Sequence, residues 1–204
     1  MSGMFLDPKT PLHTCSSESC EGCDVATKLV CHYNIKQLLL FFVLAIPVFL
    51  SEGYLTYQFN LFVFIGWIVF IMAFFGLIEI RVMCSHCPHY AEPDLTSLKC
   101  WANYGSPKLW KYRPGPMSLM ETIIFYSGFV IILVVPIILG LLQALYIISA
   151  VAFAILILWK IMLKKYYCSR CINFACPLNN TQSSAKTAFF NKNPIVKKAY
   201  EESK

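Results

Sequence analysis

IIFYSGFVIILVVPIILGLLQALYIISAVAFAILILWKIML, the stretch from Ile123 to Leu163, decides the fold of this chain. It runs apolar for about forty residues, broken only by Ser127, Gly128, Pro136, Gly140, Gln143, Ser149 and Lys160. A single helix of that length would rise about 60 Å, twice the hydrocarbon thickness of a bilayer, so it should fold into two spans with the turn near Gly140 to Gln143. Just upstream, Ser118 and Glu121 have the spacing of a capping box and mark where the third span begins, after Pro114-Gly115-Pro116.

Moving outward, two more apolar runs precede it. Ile35 to Leu50 is a first span, with Pro47 near its far end, and Phe59 to Ile80 is a second, closing at Glu79 and Arg81. Between them, Ser51 to Gln58 reads as a short loop carrying Glu52, Gly53, Tyr54 and Tyr57 and no basic residue. The composition agrees with a membrane protein: 57% of the 204 residues are hydrophobic and only 14% charged, against about a quarter charged in soluble domains. No short apolar core lies near Met1, so a cleavable signal peptide is not expected.

The expected fold is an all-α membrane protein with four transmembrane helices arranged as two hairpins. Residues 1–34 form a Cys-rich segment, 35–163 the transmembrane domain with a Cys/His loop at 82–118, and 164–204 a Cys-rich tail. With four spans, all 17 Lys and Arg residues fall on one side, and the opposite loops carry none. By the positive-inside rule that side is cytoplasmic, and both termini lie there. A single crossing from Ile123 to Leu163 would put Lys164, Lys165, Arg170 and the basic tail outside, against the rule.

All ten cysteines and all four histidines share the basic side. A reducing cytosol disfavours disulfides, so ten thiols at a cytoplasmic membrane face read as metal ligands. The candidates are Cys15, Cys20, Cys23, Cys31, Cys84, Cys87, Cys100, Cys168, Cys171 and Cys176, with His86 and His89. Arg81-Val82-Met83-Cys84-Ser85-His86-Cys87-Pro88-His89 recurs in outline as Lys165-Tyr166-Tyr167-Cys168-Ser169-Arg170-Cys171. In both, a basic residue closes an apolar run, two residues pass and Cys-Ser-x-Cys follows; two such pairs supply the four ligands of a tetrahedral sulfur site. This near-repeat implies two hairpins related by a pseudo-twofold axis along the membrane normal, with the pairs meeting.

Cys15-x4-Cys20-x2-Cys23, with Cys31 close by, resembles the cysteine spacing of plant-type two-iron ferredoxins. Cys171-x4-Cys176-Pro177 and Cys84-x2-Cys87-Pro88 are loosely similar to the cysteine-proline motifs of membrane-bound ferredoxin-type proteins that pass quinol electrons. The spacing differs, since that family places three residues between Cys and Cys-Pro. The resemblance implies iron-sulfur chemistry. Zinc is the alternative cofactor: Cys84, Cys87, Cys168 and Cys171 would form a closed four-thiolate site pinning the second helix end to the fourth, on the order of 10 kcal/mol of folding energy with no turnover.

No Asp, Glu, Lys, Arg or His is expected deep inside a span, which disfavours a pump or secondary transporter, and no intramembrane histidine is available for haem. The function expected is therefore electron transfer or redox sensing at the cytoplasmic membrane face by an iron-sulfur subunit of a larger membrane complex. Beyond the lipid bilayer its partners would be a redox protein or a quinone, with Glu79, Arg81 and Glu121 at the headgroup level; no nucleic acid is expected. The rivals are a zinc-stapled scaffold or assembly protein and a soft-metal handling protein. In the loop, Trp101, Tyr104, Trp110 and Tyr112 among Lys99, Lys108, Lys111 and Arg113 place it along the membrane surface. In the tail, Asn193-Pro194 reads as a helix start, and Phe189 and Phe190 dock the tail on the membrane or on the cysteine cluster.

Overall fold

The computed structural model describes residues 4–203. Their regular structure is helical: α1 Asp24–Lys28, α2 Ile35–Phe59, α3 Leu61–Ala73, a π-helical turn Phe74–Ile78, α4 Glu79–Val82, α5 Leu119–Leu133, α6 Val135–Leu142, α7 Tyr146–Tyr166, α8 Ser183–Lys192 and α9 Pro194–Glu202. The β pairing among the described residues is one isolated bridge between Ser97 and Pro107. Four stretches are long and apolar enough to cross a membrane: Ile35–Phe59, Leu61–His86, Leu119–Leu142 and Tyr146–Arg170. Large apolar side chains such as Phe62, Met72 and Ile147 point outward from them, as lipid contact requires.

The first span departs from expectation. Ser51 to Gln58 is not a loop; α2 continues to Phe59 and turns on the single residue Asn60. The polar residues that looked like a loop are accommodated within the helix. Thr56 donates its hydroxyl to the carbonyls of Glu52 and Gly53, Tyr54 and Tyr57 face outward, and Glu52 and Leu55 turn into the bundle. Asn60 has extended backbone, and its Oδ1 accepts from the amides of Phe62 and Val63, capping α3. A second expectation falls with the first: Glu52 is an ionisable group inside a span, 0% exposed.

The forty-residue apolar run does divide in two. α6 ends at Leu142, and the chain turns through Gln143 to Leu145, with Ala144 at φ 59° and the Leu145 amide bonded back to the Gly140 carbonyl at 3.0 Å. The third span is itself broken at Val134, ahead of Pro136. Proline brings no N–H, which frees the Ile132 carbonyl, and the Trp67 indole on α3 donates to that oxygen at 3.1 Å. Ser118 and Glu121 form the expected capping box.

α2 is central, packing against α3, α6 and α7. Two glycines set the closest approaches. A methyl group at Gly128 would lie 1.9 Å from the Phe74 ring, and one at Gly140 would lie 2.4 Å from Ser149 Oγ and 2.6 Å from Leu55. Small residues at such crossings are how membrane helices approach closely.

At one end of the bundle, the N-terminal segment, the loop after α4 and the tail form a single cap. Leu12, Val25 and Leu29 share a core with Cys87, Ile172, Phe189 and Val196. Backbone bonds join Ser16 to Lys192 and Val30 to Arg170, each at 2.8 Å. The loop folds onto the bundle, with Trp101 packed on Phe41 and Tyr167 at 4.9 and 4.6 Å. Phe189 docks on the cysteine region. Asn193 precedes α9 but does not cap it with its side chain, which instead accepts from Thr14 and donates to the Phe189 carbonyl.

Candidate metal centre

The ten cysteines are all free thiols, and the fold sorts them into two neighbouring groups. The first holds Cys15, Cys20, Cys23 and Cys31, which line one small cavity of about 20 Å³ with Leu12, Val25, Ala26, Phe189, Lys192 and Asn193. That is room for one water-sized body. The local chain explains the grouping: the Cys15 amide bonds to the Leu12 carbonyl, the Cys23 amide to Cys20, and the start of α1 then leads to Cys31. Lys192 Nζ sits 3.6 Å from Cys23 Sγ and 3.1 Å from Asp24, so one cation borders this group. Burial pushes the Cys31 thiol up to about 12, with Cys23, Cys20 and Cys15 adding to it.

The second group brings Cys84 and Cys87 from the end of the second span together with Cys100 from the loop and Cys168, Cys171 and Cys176 from the end of the fourth. Cys87 lies within electrostatic reach of Cys171, Cys100 and Cys176, and Cys176 within reach of Cys171 and Cys168. Burial raises Cys100 to about 11 and Cys171 to about 12, and lifts Cys87 and Cys176 as well. Against that burial, backbone amides face the sulfurs two or three residues ahead: His89 toward Cys87, Ala102 and Asn103 toward Cys100, Asn173 toward Cys171 and Leu178 toward Cys176. The Asn103 and Asn173 amides donate at 3.3 and 3.4 Å. Amides aimed at sulfur favour the thiolate, and hydrogen bonds to ligand sulfurs tune a metal centre.

Several participants were not expected beside the thiols from the sequence. Asn103 donates its side-chain amide to both Glu79 Oε2, at 2.8 Å, and Cys84 Sγ, at 3.2 Å. Glu79 is therefore not a headgroup residue; it is 3% exposed, within reach of Cys84, Cys100 and Cys176. Tyr33 is buried within reach of Cys171, Cys87 and Cys100 on one side and Cys31 on the other, so it stands between the two groups. Its ring packs on His89 at 4.6 Å. Only the three-dimensional fold puts these residues among the thiols, because each lies far along the chain from most of them.

The two candidate histidines differ. His86 Nδ1 lies 3.1 Å from the Gly115 carbonyl and its Nε2 3.5 Å from Glu121, whose carboxylate also pairs with Arg81 and Arg113; its ring is turned to the loop. Glu121 and Arg81 thus serve an internal ion-pair network at a helix start. His89 is 3% exposed, and neither ring nitrogen has a hydrogen-bond partner. Burial pushes its imidazole down to about 3, with the Val30 backbone pulling weakly the other way, so the ring is neutral.

Among the described residues, no three His, Cys, Asp or Glu side chains converge closely enough to hold one ion between them. The donor set is nonetheless that of a soft metal: sulfur, a neutral imidazole and amides directed at sulfur. Fold and site together define a class, an all-helical protein with four helices able to cross a membrane and a thiol-rich cap at one end of the bundle. Comparison with known protein families, curated proteins and solved structures finds no match to this chain.

Proposed function

We propose that this chain is a membrane-anchored iron-sulfur protein that transfers electrons or senses redox state at the cytoplasmic face, as a subunit serving a larger redox system. The observation that carries the reading is the division of ten free thiols into groups of four and six that adjoin at the buried Tyr33. The first group would hold one centre through Cys15, Cys20, Cys23 and Cys31. The second would hold another through ligands drawn from Cys84, Cys87, Cys100, Cys168, Cys171 and Cys176. Iron-sulfur centres supply one-electron chemistry, with potentials set by burial and hydrogen bonds to sulfur. This chain's own part is to exclude water through Leu12, Ile172, Phe189 and Val196, to orient sulfurs with amides, and to keep the groups adjacent. The electron donor or acceptor is a redox protein or a membrane quinone.

A zinc-stapled scaffold is the second reading, favoured by four cysteines, Cys15, Cys20, Cys23 and Cys31, lining one small cavity, the ligand number of a closed structural zinc site. Elemental analysis and the visible spectrum of anaerobically purified protein decide between them. Iron with acid-labile sulfide and an absorbance bleached by dithionite is the expected result. Colourless protein with tightly held zinc would overturn the redox reading in favour of the scaffold, and metal-free protein that takes up neither would overturn both.

A further inference from the structure

The membrane domain holds polar groups that the thiol cap does not use. Both carboxylate oxygens of Glu52, the Ser149 hydroxyl and the Trp159 indole N–H are buried with no hydrogen-bond partner. Glu52 and Ser149 are 0% and 1% exposed. Glu52 shares the inner face of α2 with Val48, which packs on Trp67 and Leu133, and with Leu55, which packs on Ile137 and Ala152. α2 and α7 run antiparallel, their register set by the Tyr167 hydroxyl on the Gln37 carbonyl at one end and by Leu55 against Ala152 at the other. In that register Glu52 falls between Ser149 and Trp159, about 7 Å along the axis from each.

An unpaired carboxylate in such surroundings is costly, and no cation is there to balance it. Of the helices packed on α2, α3 and α6 contain no ionisable residue. α7 offers only Tyr146, which is 64% exposed at its outer start, the exposed Lys160, and Lys164, Lys165 and Tyr166 near the cap end; α2 itself adds Lys36, Tyr54 and Tyr57, and none of these points inward. Orphaned buried polar groups of this kind signal water or a ligand. The three differ in what they can do. A serine hydroxyl donates and accepts at once, so it passes protons, whereas an indole N–H only donates. Ser149 lies toward the cysteine-free end, three residues into α7, and Trp159 lies toward the cap.

We propose that Glu52 is a proton-exchanging carboxylic acid in the membrane interior, connected through Ser149 to the cysteine-free end of the bundle and closed toward the cap by Trp159. The exchange is COOH giving its proton to water and regaining one, with no other bond changed. Its ligand is the proton, with one or two waters as carriers. The proposal does not depend on which metal the cap holds.

The test is the infrared spectrum of the full chain reconstituted in phosphatidylcholine bilayers, in H2O and in D2O. The wild type should show the C=O stretch of a protonated carboxylic acid, moving to lower frequency in D2O. Glu52→Gln should lose that band, and Glu52→Asp should keep it at a changed position. Ser149→Ala should slow the D2O shift at least tenfold. A band absent from the wild type, or kept in Glu52→Gln, would overturn the assignment. A band that never shifts in D2O would show a static buried acid and overturn the exchange.

Discussion

At the scale of single residues, the membrane domain is held by close contacts that leave no slack. Gly128 sits where any Cβ would overlap the Phe74 ring, so Gly128→Ala should destabilise the protein by about 3 kcal/mol, the upper part of the range for overpacking. Thermal unfolding in detergent checks it; an unchanged midpoint would refute the packing. Trp67 acts differently. Its indole satisfies a carbonyl orphaned by Pro136, so Trp67→Phe should cost about 1 kcal/mol. Pro136→Ala returns an N–H to that carbonyl, and in its background the same change should cost measurably less. Equal costs in both backgrounds would separate the tryptophan from the proline. Neither contact was legible in the sequence, where Gly128 is one of several helix-interior breaks and Trp67 one more aromatic in a lipid-facing run.

At the scale of elements, the cap is assembled from separate pieces: the N-terminal segment, the turns after the second and fourth spans, the loop to Arg113, and the α8–α9 tail. The thiols belong to these separate pieces, which predicts two separable centres. On the proposed reading, Cys31→Ser should remove metal from the first group alone and Cys171→Ser from the second alone, each leaving a partial content by elemental analysis. Loss of all metal in either variant would mean one shared centre. The same burial makes loading depend on pH. Cys31, Cys100 and Cys171 are raised to about 12, 11 and 12, so near neutrality they are protonated in the empty protein, and binding must expel those protons. Affinity should therefore rise with pH, by about tenfold per unit for each proton displaced. Adding zinc to metal-free protein in weakly buffered solution should acidify it by more than one proton per ion; no acidification would rule out thiolate ligation. Spacing in the sequence foresaw the Cys-Ser-x-Cys turns, since a helix end leading into a tight turn is a local property. It did not foresee Asn103 or Glu79 among the sulfurs, because that contact depends on how the long loop folds back over the bundle.

At the scale of the whole molecule, every cysteine lies at one end of a four-helix bundle whose other end, among the described residues, carries the Asn60 and Gln143–Leu145 turns. Combined with the Lys and Arg distribution, this predicts that a membrane-impermeant maleimide labels the denaturant-loosened cap in inverted vesicles and not in right-side-out ones. The reverse pattern would invert the proposed orientation, and labelling from both sides would overturn the four-span topology. The turn expected near Gly140 is present, and the loop expected at Ser51 to Gln58 is not. The difference is physical. Polarity marks a loop only if the polar groups need water, and here Thr56 spends its hydroxyl on its own helix while Glu52 is taken inside.

Solvent and local geometry are written into the order of the amino acids. Apolar length against bilayer thickness sets four crossings, helix-end motifs such as Ser118 with Glu121 set where they begin, and one-sided charge adds an expected orientation. Which distant groups share a space came only from the packed chain: ten thiols parted four and six, His89 buried on Tyr33 while His86 is engaged by Gly115 and Glu121, Glu79 drawn into the cap, and Glu52 enclosed by helices that bring it no partner. Those neighbourhoods depend on the packing of side chains far apart in the chain, and hydrophobicity constrains that packing only to being dense.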